Sequence, residues 1–244
     1  MTRERYTFAQ ESCLRLTGKL MQRLEMLHPG ARVGVAISGG VDSWALLKVL
    51  ALRRGIVPFP FEIMALHVNP GFEPDNHEIM GEWLASNGIS AHLEVSDHGP
   101  LAHSAENMSN SPCFYCARLR RKRLFSLCRD YKLTHLAFGH TAEDLVTNFF
   151  MNMIQGGRVD GLAAKDAFFG GELMVIRPML LLEKPMIIKA ARDWGLPVRK
   201  NPCPSSDSCR RSVIGREMDG LFAVHKGARR NIYNALRRWN CGLT

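Results

Sequence analysis

Residues 33–43 read Val-Gly-Val-Ala-Ile-Ser-Gly-Gly-Val-Asp-Ser, a strand-like run that passes through glycine into a helix-like run. The β-branched part is typical of a buried strand, and helical spacing continues over residues 42–52. Glycines let a backbone approach a phosphate closely, and the N–H groups and dipole of a helix N-terminus favour negative charge. Ser38 and Ser43 add hydroxyl donors, whereas the Gly-Lys-Ser/Thr ending of a Walker loop is missing. The stretch therefore predicts an anion site between a strand and a helix.

Length, composition and charge indicate a basic globular chain. The 244 residues can form one α/β domain, and 46% hydrophobic with 23% charged residues is ordinary for a globular protein. No apolar run reaches the length of a membrane span, and the first residues lack the apolar core of a signal peptide. We therefore expect a cytoplasmic protein that does not contact membranes. The net charge of +9 suits a polyanionic partner such as RNA.

Apolar periodicity and turn residues predict strands that alternate with helices. The predicted strands cover residues 33–37, 61–68, 91–95, 134–138 and 173–176. The predicted helices cover residues 6–27, 42–53, 74–87, 117–131, 141–154 and 184–194, with loops over 96–112 and 156–171. This alternation is typical of an α/β fold with a doubly wound parallel sheet, in which ligands bind at the carboxyl ends of the strands. Three motifs lie at such ends, in residues 38–43, 67–69 and 139–140.

The seven cysteines suit metal binding or thiol chemistry better than disulfides in a reducing compartment. Cys113 and Cys116 form a Cys-x-x-Cys pair, Cys203 lies between two prolines, and Cys209 follows six residues later. Three interpretations remain open: a structural zinc held by all four thiolates, a redox pair, or an iron–sulfur cluster held by three cysteines. Spacing alone favours zinc. Cys128 falls inside a predicted helix, where we expect a buried small hydrophobe.

Six short segments stand in one order along the chain. They are Ser-Gly-Gly-Val-Asp-Ser (38–43), Cys-Phe-Tyr-Cys-Ala-Arg-Leu-Arg-Arg (113–121), Phe-Gly-His-Thr-Ala-Glu-Asp (138–144), Asn-Met-Ile-Gln-Gly-Gly-Arg (152–158), Ile-Arg-Pro-Met (176–179) and Asn-Pro-Cys-Pro (201–204). Together they resemble the tRNA 2-thiocytidine synthetase family of the pyrophosphate-loop (PP-loop) ATP pyrophosphatases. The tRNA 2-thiouridine synthetases are more distantly similar. The resemblance runs from about residue 10 to about residue 220.

The resemblance implies an enzyme with an adenine-nucleotide alpha-hydrolase-like fold that thiolates tRNA using ATP. ATP would adenylate the C2 oxygen of a tRNA pyrimidine, with cytidine favoured, and sulfur would replace that oxygen. In the family, a [4Fe-4S] cluster held by only three cysteines handles the incoming sulfur. The corresponding residues are Cys113, Cys116 and Cys203, which reverses the preference for zinc. Two departures stand out: Val41 replaces the family's usual Lys, and Cys209 does not keep the family's spacing.

The resemblance also implies roles for residues around ATP, with Mg²⁺ as its companion ion. Asp42 and Asp144 are candidates to place Mg²⁺ or act as a base, although each could instead serve only its own helix N-terminus. Arg120, one helical turn after Cys116, would stabilise charge on the phosphates or the adenylated base, unless it belongs to a solvated basic face. The predicted catalytic residues are Asp42, Arg120 and Asp144. The predicted ATP-binding residues are Ala36, Ser38, Gly39, Gly40, Asp42, Ser43, His67, Gly139 and Asp144.

Two basic clusters suit phosphate contacts with tRNA, although each also fits a solvated helix face. The predicted tRNA-binding residues are Arg118, Arg121, Arg123, Arg158, Arg229 and Arg230. The implied sulfur donor is a cysteine desulfurase or sulfide, and a homodimer would fit similar proteins. We expect an N-terminal helix over residues 1–30, a PP-loop ATP pyrophosphatase domain over 31–200, and a Cys/Arg-rich helical extension packed on that domain over 201–244.

Other functions stay open from the sequence. One is a PP-loop sulfur transferase that acts on another nucleotide or on a small molecule. Another is a zinc-stapled protein that binds ATP without thiolation chemistry. A tRNA lysidine synthetase would share the loop but would give no reason for the cysteines. The sequence names neither the tRNA and base position, nor the sulfur donor, nor the oligomeric state.

Overall fold

The computed structural model describes residues 5–73, 77–107, 111–200 and 202–242 of the chain. Its strands are β1 (Arg32–Ala36), β2 (Glu62–Asn69), β3 (Ala91–Val95), β4 (His135–Ala137), β5 (Lys165–Phe168) and β6 (Leu173–Ile176). Its helices are α1 (Phe8–Arg23), α2 (Val41–Arg53), α3 (Glu78–Ser86), α4 (His98–Ala102), α5 (Pro112–Asp130), α6 (Ala142–Gly156), α7 (Lys184–Asp193), α8 (Arg210–Val224) and α9 (Ala228–Cys241). Parts of the predicted segments lie outside the described residues, namely 1–4, 74–76, 108–110, 201 and 243–244.

The strands form one sheet in the order β3-β2-β1-β4-β6-β5. The central strand β1 pairs in parallel with β2 on one side and β4 on the other, so that Val35 lies opposite both Ala65 and Ala137. The chain therefore proceeds outwards in opposite directions from β1, and a crevice is expected at the carboxyl ends of the strands on either side of this switch point. The predicted doubly wound, mostly parallel sheet is confirmed.

Alternate residues of the central strands build a core on each face of the sheet. Val33 and Val35 belong to the larger core, which lies under helices α1, α2 and α7. Leu66 and Leu136 point the other way and pack with Leu127 of α5 in the smaller core. Burying an aliphatic side chain contributes about 1.5–3 kcal/mol, so both layers stabilise the central strands. These strands in turn position the loops at their carboxyl ends.

The edge strand β5 corrects the sequence prediction, which assigns residues 156–171 to a loop. β5 pairs antiparallel with β6 after a 3₁₀ turn in which Gly170 has a φ of 67°. The strand has only four residues, and its first two are the charged Lys165 and Asp166. Four residues that begin with two charged side chains do not show the apolar alternation by which a strand is recognised from sequence.

The start of α5 is a second correction, because the prediction placed residues 96–112 in a loop and began the helix at residue 117. The helix begins at Pro112, and Ser111 accepts a hydrogen bond from the backbone N–H of Phe114 at 3.3 Å. A serine cap followed by proline is a strong helix start. Cys113 and Cys116 therefore lie on helical backbone, and α4 also occupies part of the predicted loop.

The C-terminal helices confirm the predicted helical tail and share the main core. Tyr233, Leu236 and Cys241 of α9 are buried with the residues of α1, α2 and α7. The side chains of Arg237 and Asn240 donate hydrogen bonds to the carbonyls of Leu181 at 2.9 Å and Leu162 at 2.7 Å. The domain boundaries at residues 30 and 200 stay predictions. No helix in the described ranges has both the length and the apolar character needed to cross a membrane.

His135 makes the stability of the fold depend on pH. Burial lowers its pKa from 6.5 to about 4, with smaller contributions from His28 and Lys165. Because the unfolded chain binds this proton more readily, the stabilising effect is complete above about pH 6.5 and is lost as the pH falls towards 4. A shift of this size corresponds to about 3 kcal/mol.

We expect His135→Gln to reduce the loss of unfolding free energy between pH 7 and pH 4 by about 2–3 kcal/mol, because glutamine has no proton to gain. Urea denaturation at both pH values measures this difference. The exposed His225 provides a control, since His225→Gln should leave the pH dependence unchanged. An undiminished loss in the His135 variant would contradict the assignment.

Candidate functional site

The loop between β1 and α2 is closed by its own serines. Ser43 Oγ donates to the carbonyl of Gly40 at 2.8 Å and accepts from the backbone N–H of Ser38 at 3.2 Å. Gly39 has a φ of 86°, a conformation that favours glycine. Gly40 occupies the N-cap position of α2 and has no side chain, so it accepts no side-chain hydrogen bond from the first N–H groups of this helix. The N-terminus of α2 is therefore suited to bind an anion.

Gly139, which follows β4, packs directly on the start of α2. A Cβ atom at this position would lie 2.9 Å from the carbonyl oxygen of Asp42 and 3.1 Å from the backbone nitrogen of Ser43. Both of these neighbours are backbone atoms of a helix, so they cannot rotate away as a side chain could. Only glycine allows this close contact between the two loops.

A cavity of about 220 Å³ opens at the carboxyl ends of β1, β2 and β4. Apolar side chains such as Leu66 and Phe138 form one part of its wall, and polar groups of the strand ends form the other. A wall of this composition suits a nucleotide, whose base packs on apolar groups while its phosphates meet polar ones. Seven of the predicted site residues line this cavity: Ala36, Ser38, Asp42, Ser43, Arg120, Gly139 and Asp144.

The side chain of His67 does not line this cavity. Its Nδ1–H donates to the carbonyl of Ile37 at 2.7 Å, and burial lowers its pKa, which favours the neutral ring. Its Nε2 is buried and has no hydrogen-bond partner among the described residues. The ring borders a smaller pocket, which it shares with Gly39 and Arg199. A contact between ATP and His67 stays a prediction, and the structure orients the side chain towards this smaller pocket.

Asp42 forms an ion pair that the sequence prediction missed. Lys184 Nζ, at the start of α7, lies 2.5 Å from Asp42 Oδ2. The other oxygen, Oδ1, is buried and has no hydrogen-bond partner in the described part of the chain. Burial raises the pKa of Asp42, and Lys184 opposes this effect. The pair joins α7 to the loop, and no local pattern relates residues that lie 142 positions apart.

Asp144 both caps α6 and reaches the C-terminal region. Its Oδ2 accepts from the backbone N–H of Thr141 at 2.9 Å and from the hydroxyl of Thr141 at 3.2 Å. Its Oδ1 lies 3.4 Å from Nη1 of Arg211. Asp144 therefore serves its helix N-terminus and also faces the cavity. Arg211 lines the same cavity, although the sequence prediction does not include it.

His140 is a further cavity residue that the sequence prediction left without a role. Burial lowers its pKa to about 4, while Asp144 opposes the shift. Its Nδ1 has no hydrogen-bond partner among the described residues. The ring is therefore neutral near pH 7 and adds an uncharged polar group to the cavity wall.

Four cysteines gather where α5 and α8 begin. Cys113 and Cys116 belong to α5, and Cys209 is the residue that caps α8. Cys113 Sγ lies 3.9 Å from the carbonyl oxygen of Ser205, Cys209 acts electrostatically on Cys113, and Cys203 acts electrostatically on both Cys113 and Cys116. The structure thus brings the three predicted ligands together and adds Cys209. We call these four residues the cysteine pocket.

The thiols of the cysteine pocket differ in acidity. Burial raises the pKa of Cys113 and of Cys116, and Arg120 opposes the shift at Cys116. Burial acts in the same direction at Cys209, but hydrogen bonds from Ser212 and Arg211 at the start of α8 outweigh it and lower the pKa. Because the thiolate is the form that binds a soft metal, Cys209 is the member of the pocket whose shift favours binding.

The donor set of the cysteine pocket consists of thiols alone. Within the ranges that the structure describes, no three His, Cys, Asp or Glu side chains converge on a single-ion position. Thiolates are the ligands of structural zinc and of iron–sulfur clusters alike. The chemistry of the donor set therefore fits either group, and the cluster stays a prediction.

Arg120 connects the cysteine pocket with the cavity. Its guanidinium group lines the cavity and also favours the thiolate form of Cys116. This is the one-turn relation expected from their spacing on α5. A molecule in the cavity and a group held by the cysteines would thus meet the same cation.

The comparison with protein families decides the classification. A PP-loop domain profile matches residues 13–219. The chain belongs to the PP-loop family. The expected PP-loop fold, the resemblance to the tRNA 2-thiocytidine synthetases and the assignment to an enzyme family are confirmed.

Two relatives of this PP-loop protein carry the name tRNA-cytidine(32) 2-sulfurtransferase. The protein from Bordetella pertussis is 32% identical over 228 residues, which cover 92% of this chain and 70% of the relative. The protein from Geobacter sulfurreducens is 31% identical over 221 residues, which cover 90% and 86%. Among solved structures, the U34-tRNA thiolase NcsA from Methanococcus maripaludis with its [4Fe-4S] cluster matches with a TM-score of 0.75. Its identity is 23%, over 96% of this chain and 81% of that one, so this likeness shows the shared fold.

The predicted tRNA-binding arginines of the PP-loop protein fall into two groups. Arg123 donates two hydrogen bonds of 2.7 Å to the carboxylate of Glu94, so much of its donor capacity is already used. Arg229 pairs with Asp219 at 3.2 Å and lies over the ring of Phe222. The side chains of the other four arginines are exposed: Arg118, Arg121, Arg158 and Arg230.

We expect Gly139→Ala to weaken ATP binding by the PP-loop protein at least about tenfold, because the new methyl group would separate the β4–α6 loop from the start of α2. Isothermal titration with ATP measures the affinity. Gly215→Ala is the matched control, since Gly215 lies in α8 and a Cβ atom there meets nothing within 4 Å. Wild-type affinity in the Gly139 variant would show that this contact does not shape the ATP site.

We expect Lys184→Met to lower the free energy of unfolding by about 1 kcal/mol, because it leaves the buried Asp42 carboxylate without its cation. ATP affinity should fall at least about threefold as the loop loses its support from α7. Denaturant unfolding and ATP titration measure the two effects. Lys189→Met, at an exposed position of the same helix, is the control, and equal behaviour of both variants would contradict the role of the pair.

Proposed function

We propose that this chain is an ATP-dependent sulfur transferase that thiolates a tRNA pyrimidine at C2, with cytidine favoured. The names of the two relatives support tRNA and cytidine as the substrate class. The net charge of +9 supports a polyanionic partner. A cysteine desulfurase or free sulfide would supply the sulfur.

One observation carries the proposal: the cysteine pocket adjoins the nucleotide cavity, and Arg120 faces both. Activation of an oxygen and its replacement by sulfur must take place at the same carbon. Both reactants therefore have to reach one point within a few ångströms, as effective positioning requires. The ion pair between Asp144 and Arg211 lies at the same cavity and joins it to helix α8.

The first step would be adenylation of the base. The loop residues from Ser38 to Ser43 and the N-terminus of α2 would hold the phosphates and stabilise the departing pyrophosphate. The C2 oxygen of the base attacks the α-phosphorus, and the oxygen–phosphorus bond to pyrophosphate breaks. Asp42 and Asp144 are the candidates to place Mg²⁺, because each presents a carboxylate to the phosphate side of the cavity.

The second step would replace the adenylated oxygen by sulfur, with AMP as the leaving group. Cys113, Cys116 and Cys203 would hold a [4Fe-4S] cluster, which, when bound, supplies a place for sulfide beside the activated carbon. Arg120 would stabilise the negative charge that develops on the AMP phosphate as the carbon–oxygen bond breaks. Because the ring of His140 is neutral, Arg120 and Mg²⁺ would stabilise the negative charge on the AMP phosphate without a contribution from a histidine cation.

Exposed arginines would position the tRNA through its phosphates. Arg118 and Arg121 project from α5, the helix that also carries Cys113 and Cys116. Contacts at this helix would bring the target base towards the cavity while remaining independent of sequence. Arg158 and Arg230 would extend the contact surface, whereas Arg123 and Arg229 would contribute less because carboxylates already bind them.

The test is anaerobic purification with iron, sulfide and zinc analysis, followed by a thiolation assay with ATP, sulfide and unmodified tRNA. We expect close to four irons per chain, ATP-dependent 2-thiocytidine in digested tRNA, and release of pyrophosphate. Cys203→Ala should lose at least about tenfold in thiolation and most of its iron. Cys128→Ala, at a buried core position of α5, is the control and should retain both.

Each alternative function gives a different result in this experiment. One zinc per chain without thiolation would indicate a zinc-stapled ATP-binding protein. A cluster with pyrophosphate release only in the presence of a small molecule would indicate a different sulfur acceptor. Full iron content and full thiolation in Cys203→Ala would contradict the assignment of Cys113, Cys116 and Cys203 as the cluster ligands.

A further inference from the structure

We infer that Cys209 is a fourth, exchangeable ligand of the cluster, which occupies the remaining iron until sulfide displaces it. This inference rests on the proposed function. It concerns a residue for which neither the family resemblance nor the sequence spacing provides a role. The resemblance implies a cluster with one iron that has no protein ligand, and the structure places the thiol of Cys209 in the same pocket.

Cys209 lies in the cysteine pocket, close to the predicted cluster ligands. Its thiol acts electrostatically on Cys113, whose sulfur lies 3.9 Å from the carbonyl oxygen of Ser205, in the segment between Cys203 and Cys209. The segment from Cys203 to Cys209 turns back on itself, with the N–H of Ser206 bonded to the carbonyl of Cys203 at 3.1 Å. This turn brings both cysteines of the segment to the start of α5. Four cysteine thiolates are the usual complete ligand set of a [4Fe-4S] cluster, and Cys209 is the fourth cysteine of this pocket.

The protein also provides hydrogen-bond partners for the Cys209 thiol when it is not bound to iron. Ser212 Oγ lies 3.1 Å from the sulfur of Cys209, and the carbonyl of Ser206 lies 3.5 Å from it. Ser212 Oγ also donates to that carbonyl at 2.7 Å, which fixes its orientation. Cys209 therefore has hydrogen-bond partners without a metal bond. A ligand that keeps such partners when it leaves the iron would exchange at low cost.

The exchange balances without an oxidant or reductant. Hydrosulfide binds the iron through its sulfur as the bond between iron and the Cys209 thiolate breaks. The proton of hydrosulfide passes to Cys209, which becomes a thiol hydrogen-bonded to Ser206. Iron and sulfur keep their oxidation states, and the site gains the single negative charge that hydrosulfide brings.

The location of Cys209 also relates this exchange to the nucleotide cavity. Arg211, two residues further along, pairs with Asp144 at 3.4 Å. The first turn of α8 therefore contacts the cysteine pocket through Cys209 and the nucleotide cavity through Arg211. Sulfide entry would take place beside the residues that contact ATP.

Alkylation of wild-type protein tests the exchange directly. The cluster-loaded protein is treated anaerobically with iodoacetamide, with and without added sulfide, and Cys209 labelling is measured by mass spectrometry. We expect at least fivefold slower labelling without sulfide, because coordination protects the thiolate. Equal labelling under both conditions, in protein that holds four irons, would overturn the inference.

A second measurement compares the stability of the cluster between variants. Mild ferricyanide oxidation removes an iron that lacks a cysteine ligand and leaves a [3Fe-4S] cluster, which EPR detects. We expect Cys209→Ser to form the [3Fe-4S] signal at least fivefold faster than wild type, with Cys128→Ser behaving as wild type. Equal rates in the Cys209 variant and wild type would overturn the inference.

The outcomes separate this inference from the proposed function. Four irons and thiolation activity with an unprotected Cys209 would reject the fourth ligand and leave the proposed function standing. A protein that holds zinc and no iron would reject both. Because the labelling experiment needs no substitution, it remains decisive even if Cys209→Ser assembles its cluster poorly.

Discussion

The close contact between Gly139 and the start of α2 is the constraint on which the site depends. The backbone that leaves β4 lies against the Asp42 carbonyl, at a distance that excludes any side chain. This contact brings two strand ends of a parallel sheet together at the point where the sheet changes direction. The cavity, the open N-terminus of α2 and the carboxylate of Asp144 are neighbours because of it.

Two ion pairs extend this local geometry to the rest of the chain. Asp42 pairs with Lys184 of α7, and Asp144 pairs with Arg211 of α8. Each carboxylate is partly buried and each cation is more exposed, so the pairs contribute modest stability and mainly position the helices that carry the cations. The two helices are thereby joined to the nucleotide cavity, and the C-terminal region becomes part of the site.

The cysteine pocket shows how distance along the chain and distance in space differ. Cys113 and Cys203 are 90 residues apart, and only the packing of α5 beside the segment before α8 brings them together. Spacing alone favours zinc, because four-cysteine zinc sites are common. In the folded chain the four cysteines lie near one another, and Arg120 adds a cation on the cavity side. A metal or a cluster held by these thiols would therefore lie beside the cavity.

Features that depend on neighbouring residues could be predicted from the sequence. Apolar runs bounded by turn residues predicted five of the six strands, and the Ser-Gly-Gly turn before a helix predicted the anion loop. The sequence patterns missed β5, which has four residues of which two are charged, and the start of α5, which a serine cap and a proline place earlier than predicted. The folded structure was needed to find the partners of Asp42 and Asp144, the direction of the His67 ring and the position of Cys209 beside the other cysteines. These features depend on contacts between residues far apart in sequence, and local patterns do not record such contacts.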